Sequence, residues 1–260
     1  MQVKPKKYLG QHFLKDRNIA SKIVDSLSFH GDYKTLLEIG PGTGILTGIL
    51  FDKYPDTTWL IDIDGESIEF LREKYPDKAE KIIKGDFLRM DLGDIFKNGI
   101  GIIGNFPYNI SSQIFFKVLE NRDKVSEVVG MVQREVALRI ASDPGNKIYG
   151  ILSVLLGTFY NIEYLFTVSP GVFYPVPKVK SAVIRLKRNG RRDLPCREDV
   201  FTKIVKQGFQ NRRKTLRNAL KILNLPKQIS EMKILDLRAE QLSIDDFIEL
   251  SSKIDVLWKK

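Results

Sequence analysis

The run Thr35-Leu36-Leu37-Glu38-Ile39 reads as a buried strand and leads directly into Gly40-Pro41-Gly42-Thr43-Gly44. Alternating glycines make a tight strand-to-helix turn whose backbone can approach a ligand closely. The helix that follows offers free N–H groups. A dinucleotide site would space its glycines G-x-G-x-x-G to cradle a pyrophosphate. Here the order is G-x-G-x-G with an acid, Glu38, ahead of it, a spacing typical of S-adenosylmethionine sites. Asp62 ends the second strand-like run, 18 residues past Gly44. A carboxylate there can accept from both ribose hydroxyls. The same acid, followed by Asp64 and Gly65, also fits a plain exposed turn. Asp86 lies in Gly85-Asp86-Phe87 after the third run. It is placed to accept from an adenine amino group, with the backbone beside Phe87 at the ring edge. A glycine turn and acids at successive strand ends carry more weight together than any one of them.

The fourth strand-like run ends in Asn105-Phe106-Pro107-Tyr108. An exocyclic adenine amine is a poor nucleophile because its lone pair is delocalised into the ring. Two acceptors on its hydrogens, with an aromatic ring against the base, would aim that lone pair. The Asn105 side-chain oxygen and the Pro107 carbonyl are candidate acceptors, and Tyr108 supplies a stacking face. Orientation and electrostatics dominate such a transfer, so no strong general base is needed. Out of context the same four residues also fit a buried N-x-P-Y turn.

These residues need a scaffold of alternating strands and helices. Strands are expected at Thr35–Ile39, Thr57–Ile61, Lys81–Lys84, Gly99–Gly104 and Val125–Val132. Helices are expected at Asp16–Leu27, Ile45–Tyr54, Glu66–Lys74, Ser111–Leu119 and Arg134–Ala141. The apolar run Leu152–Phe159 fits either, and its length favours a helix. That alternation predicts a doubly wound, mostly parallel α/β sheet with ligands at the carboxyl ends of its strands. Ile162–Val168 and Val179–Leu186, with no helix between them, predict an antiparallel edge. Past Asn189 and Gly190 the pattern turns all-helical, with helices over Val200–Leu223, around Ser230–Leu235 and over Ile244–Ile254. The expected division is therefore 1–188 and a small helical domain, 189–260.

The chain has 260 residues and a net charge of +10. Cys196 is its one cysteine, and His12 and His30 are its two histidines. A disulfide framework and a multi-cysteine zinc site are excluded, no metal is expected, and a reducing cytosol fits. The longest uncharged stretch, Asn98 to Phe116, is too polar to span a bilayer. The basic start has no apolar signal core. The charge is segregated. Residues 1–17 carry a net +4, 18–172 a net −5, 173–217 a net +11, and 218–260 balance. Solubility does not require such segregation, whereas a polyanion partner does. Arg212, Arg213, Lys214 and Arg217, with Phe209, Leu216 and Leu220 interleaved, read as a phosphate-gripping helix.

Together these stretches resemble the ribosomal RNA adenine dimethyltransferases, nearest to the bacterial type acting on 16S RNA of the small subunit. The matching segments are GQHFL (10–14), EIGPGTG (38–44), DID (62–64), GDF (85–87) and NFPYNIS (105–111). They continue with QREVALRI (133–140), YGILSV (149–154), FYPVPKVKSAV (173–183), FQNRRKTLRNAL (209–220) and RAEQL (238–242). A related family that methylates large-subunit RNA shares the first edges but lacks FQNRRKTLRNAL. The resemblance implies S-adenosylmethionine as cofactor and dimethylation of two adjacent adenines near the 3′ end of the small-subunit RNA. It implies a pre-30S particle as partner, and a cytoplasmic monomer that does not engage a membrane. By resemblance, Gln11, His12 and Leu14 lie over the methionine end of the cofactor. Glu38, Gly40, Gly42 and Asn105 flank it, Asp62 and Ile63 meet the ribose side, and Asp86 and Phe87 the adenine. Asn105, Phe106, Pro107, Tyr108 and Phe173 hold the target adenine, with Phe173 as the opposite stacking face. Lys178 and Lys180 join the arginine run as RNA contacts. Three positions depart from the family pattern: Asp62 stands for a usual Glu, Ile151 for a basic residue and Lys180 for an acid.

Overall fold

A computed structural model describes residues 3–96 and 99–258. Met1 and Gln2 of the basic tail, Asn98 of the uncharged stretch, and Lys259 and Lys260 of the second domain lie outside the described residues. The described chain forms two compact units, 1–137 with 161–188, and 138–160 with 189–260.

The first unit is built on one seven-stranded sheet and a small ribbon. The ribbon pairs β1 (Phe13–Leu14) with β8 (Phe173–Tyr174), antiparallel, with Phe13 opposite Tyr174 and Leu14 opposite Phe173. The large sheet contains β2 (Thr35–Ile39), β3 (Thr58–Asp62), β4 (Ile82–Lys84), β5 (Ile100–Asn105), β6 (Val125–Gln133), β7 (Tyr160–Val168) and β9 (Ser181–Arg188). Their order is β4-β3-β2-β5-β6-β9-β7. From β4 to β6 every pairing is parallel, and β9 runs antiparallel to β6. The expected doubly wound sheet with an antiparallel edge is what forms. The strand order reverses between β2 and β5, and ligands of such sheets bind outside the carboxyl ends at that point.

The helices α1 (Arg17–Val24), α2 (Ile45–Lys53), α3 (Gly65–Lys74), α4 (Leu92–Ile95) and α5 (Ser111–Glu120) alternate with these strands. Helix α1 starts at Arg17 because Asp16 is its cap, accepting from the Asn18 and Ile19 N–H groups, and it ends at Val24, three residues short of its apolar pattern, with Asp25 as the C-cap. Backbone bonds continue the ladders past the strand ends. Gly40 N donates to Ile61 O at 2.9 Å, Gly85 N to Asp62 O at 2.9 Å, and Phe106 N to Met131 O at 3.0 Å. The loops that carry the predicted site residues therefore start from fixed positions.

Helix α6 (Arg134–Ile140) contains the first division between the units. The second unit holds α7 (Ile151–Phe159), α8 (Glu198–Gln210), α9 (Leu216–Ala219), α10 (Lys227–Ser230) and α11 (Ile244–Trp258). Phe209 stacks on Phe247 at 5.8 Å and meets Tyr149 edge-on at 5.9 Å. The segment 138–160, assigned to the first domain from sequence, is part of this helical unit. The single helix expected over Val200–Leu223 is not continuous either. It breaks after Gln210, and Asn211–Lys214 form a turn. Thr215 is extended, at φ −64 and ψ 158, and caps α9. Asn and Thr are weak helix formers, and they bracket the basic run.

Candidate active site

A cleft of about 160 Å³ opens at the carboxyl ends of β2, β3, β4 and β5. Twelve of the predicted residues border it: Gln11, His12, Gly40, Gly42, Asp62, Ile63, Asp86, Phe87, Asn105, Phe106, Pro107 and Tyr108. The sequence reading missed others. Phe13, Leu88, Asn109 and Ile110 also line the cleft. Each sits within a few residues of an assigned position, which was the available signal.

Gly42 adopts φ +54, and a Cβ there would come 2.7 Å from the Phe13 ring. Only glycine meets both conditions. The Asp62 carboxylate is buried at the cleft wall. It accepts from Gly42 N at 3.3 Å and from Asp64 N at 2.9 Å. Burial pushes its pKa up to about 6, with the backbone bonds opposing that rise. Asp86 is half-buried, accepts from Leu88 N at 2.9 Å, and has Arg89 3.6 Å away. Ile63 presents a 54% exposed apolar side chain beside these acids. Two acids at neighbouring strand ends with an apolar wall match a nucleoside: hydroxyls and an amine to bond, and a flat ring to cover. This donor set fits S-adenosylmethionine.

Three predicted residues lie elsewhere. Glu38 and Leu14 border a separate small cavity, shared with Asn105 and Gly40, rather than the cleft. Glu38 is 2% exposed and accepts from Thr47 Oγ1 at 2.7 Å. Burial pushes its pKa up to about 8, and the Asp62 charge adds to the rise. Leu14 and Phe173 are cross-strand partners in the ribbon and belong to the apolar core with Met131, Val168 and Val183. Phe173 is 0% exposed, so its ring is not an open stacking face. In a two-residue ribbon, one face must be apolar core, and this pair fills it. Phe106 borders the cleft, but its ring faces the core. Its ring is buried against Phe115 at 5.9 Å and covers Gly104 and Gly130, so the ring anchors the turn.

The target edge is held from several directions. Asn105 Nδ2 donates to His12 O at 2.8 Å, which leaves Oδ1 as a free acceptor. The Pro107 carbonyl accepts from Ile110 N at 3.2 Å and keeps a second lone pair. The Tyr108 ring stacks on His12 at 5.1 Å between centroids, and its hydroxyl bonds the Ser181 hydroxyl. His12 Nδ1 lies 2.7 Å from Pro175 O. A carbonyl only accepts, so Nδ1 carries the proton and the imidazole is a spacer rather than a base at that atom.

The predicted RNA contacts divide by their partners. Lys178 and Lys180 are exposed in the segment before β9. In the helical unit, Arg212 donates to Lys147 O at 2.9 Å and to Tyr149 O, and lies over the Phe209 ring. Arg217 binds Asp236 and the carbonyls of Ser230 and Met232. Arg213 and Lys214 are exposed in the turn. Among the described residues no cluster of three or more His, Cys, Asp or Glu could hold a metal, and no helix is long and apolar enough to cross a membrane.

Comparison with known proteins gives the family. Residues 2–255 match the model of the family described as ribosomal RNA adenine dimethylase. A ribosomal RNA small subunit methyltransferase A from Cytophaga hutchinsonii is 56% identical, covering 97% of this chain and 98% of its own. The protein of that name from Flavobacterium johnsoniae is 54% identical, covering 98% of this chain and 97% of its own. Among solved structures, a dimethyladenosine transferase from Plasmodium falciparum superposes with a TM-score of 0.75 at 25% identity, over 92% of this chain and 96% of that one. The chain belongs to the ribosomal RNA adenine dimethylases, enzymes that use S-adenosylmethionine.

Proposed function

We propose that this enzyme dimethylates N6 of two adjacent adenines near the 3′ end of small-subunit ribosomal RNA. Its substrate in the cell is a pre-30S particle, and it works as a cytoplasmic monomer. The substrate reading is supported by relatives more than half identical over nearly the whole chain, whose names specify the small subunit. The observation that carries the chemistry is the fixed Asn105 amide. With Nδ2 committed to His12 O, Oδ1 is the atom presented to an incoming amine. Oδ1 and the spare lone pair of the Pro107 carbonyl accept the two N6 hydrogens and turn the nitrogen lone pair outward. Tyr108, clamped between His12 and Ser181, supports the base. The bound cofactor supplies an electrophilic methyl group. Asp62 and Asp86 hold its ribose and adenine, and Ile63 covers the ring. The helical unit binds RNA through exposed Arg213 and Lys214, and Lys178 and Lys180 add contacts from the sheet unit.

Primer extension tests the reading. Dimethylated adenine cannot form a Watson–Crick pair, so reverse transcriptase halts at it. Small-subunit RNA treated with enzyme and cofactor should give new stops at two adjacent adenines. Stops only in large-subunit RNA, or none, would overturn it.

A further inference from the structure

The cleft is covered on one side by the chain before β1, and one carboxylate outside the assigned set holds that segment. Asp64 has a side chain only 1% exposed. It accepts from Lys6 Nζ, from Gln11 Nε2 at 3.1 Å, from Ser67 Oγ at 3.3 Å and from Glu66 N at 3.1 Å. Lys6 and Gln11 are also tied to each other, Lys6 N donating to Gln11 Oε1 at 2.8 Å. Leu9 N and Gly10 N close the intervening turn onto Lys6 O and Lys7 O at 3.1 and 3.0 Å. Asn109 Nδ2 reaches Tyr8 O at 3.4 Å. Residues 6–11 therefore form a small knot whose deepest anchor is Asp64.

Two connections make this anchor more than a cap on α3. The Asp64 N–H donates to Asp62 Oδ1 at 2.9 Å, so anchor and ribose acid share a bond. On the other side the strap continues from Gln11 to His12, whose carbonyl fixes the Asn105 amide. A buried carboxylate with charged and neutral donors is a strong and geometrically restrictive node.

We propose that Asp64 is a positioning residue that fastens residues 6–12 over the bound cofactor through Lys6 and Gln11, and thereby sets how long the cofactor stays and how squarely Asn105 faces the amine. The inference rests on the family's cofactor. It is tested with S-adenosylmethionine alone, so wild-type binding in the same assay checks that reading separately.

The variants are Asp64→Asn, Lys6→Met and the double. Asn is as good a helix cap as Asp, so α3 should keep its start. It cannot accept a charge-assisted bond from Lys6. Each single variant should release cofactor about tenfold faster, as expected for loss of a hydrogen bond to a charged group. Lys6 Nζ also lies 3.3 Å from Glu66 Oε1, and Asp64→Asn also weakens the Gln11 contact, so the double should exceed either single but fall short of their summed effects, because the Lys6–Asp64 bond is lost only once. Hydrogen exchange at the Leu9 and Gly10 amides should accelerate in all three, with melting temperatures nearly unchanged. If Asp64→Asn does not fold, Lys6→Met decides, since Lys6 is not part of the cap. Unaltered release rates would overturn the proposal, whether or not the strap amides exchange faster. Fully additive effects of the two singles, with no coupling between them, would also overturn it.

Discussion

Asn105 is the residue on which the chemistry turns. Its Oδ1 is preorganised because Nδ2 is already bonded to His12 O. Asn105→Ala should lower turnover about a hundredfold, the usual loss of one preorganised polar group, with cofactor affinity little changed. Single-turnover kinetics beside calorimetry would separate the two, and parallel losses would make Asn105 structural. Glu38 gives a second prediction, in pH. Its carboxyl is pushed from 4.5 up to about 8 by burial. The folded chain then keeps a proton that the unfolded chain releases near 4.5. Stability from this group is full below that value and is lost as pH rises through about 8. Asp62, pushed up to about 6, acts with the same sign over a lower window. The melting temperature of the cofactor-free protein should fall between about pH 4 and 8 and level off above that. Glu38→Gln, which keeps an acceptor for Thr47, should flatten the upper part of that fall. An unaltered profile would show that Glu38 is ionised in the folded chain.

At the scale of elements, the sheet was legible and the ribbon was not. Short apolar runs between helical stretches mark β2 to β6 and put Asp62, Asp86 and Asn105 at or just past strand ends. The β1–β8 ribbon has only two residues per strand, and a one-residue change of register exchanges its faces. No pattern that short says which of Phe173 and Tyr174 points inward. The structure buries Phe173 completely and leaves Tyr174 58% exposed. Phe173→Ala should therefore destabilise the fold by about 3–5 kcal/mol, the range for truncating a buried aromatic ring. Denaturant unfolding measures it. A loss under about 1 kcal/mol, with turnover abolished, would restore the stacking role. Contacts between distant segments were equally hidden. Lys6 meets Asp64 across 58 residues, and Tyr108 meets Ser181 across 73. Nothing local encodes such pairs. Residues 211–214 show the converse. The basic composition there is plain in the sequence, but Asn211 and Thr215 make the expected helix a turn.

For the whole molecule the question is where RNA affinity resides. Charge is segregated, with +11 over 173–217 against −5 over 18–172. The structure divides the central run FQNRRKTLRNAL by function. Arg212 and Arg217 are committed to carbonyls and an acid of their own unit, so removing either should cost stability. Arg213 and Lys214 stand exposed in the turn. Each phosphate neutralised contributes roughly 0.9 to the slope of log affinity against log salt on duplex nucleic acid. Replacing Arg213 and Lys214 together by Ala should lower that slope by about two units. It should leave the melting temperature and S-adenosylmethionine affinity unchanged, because the cofactor residues lie in the sheet unit. Arg212→Ala should do the reverse, lowering the melting temperature with a smaller effect on the slope, since its guanidinium closes 147–149 onto Phe209. RNA affinity at four or five salt concentrations, beside thermal melts, distinguishes them. If the double variant keeps the full slope, the turn is only a solvated loop. The phosphate contacts would then have to be carried by Lys178, Lys180 and the basic chain before α1.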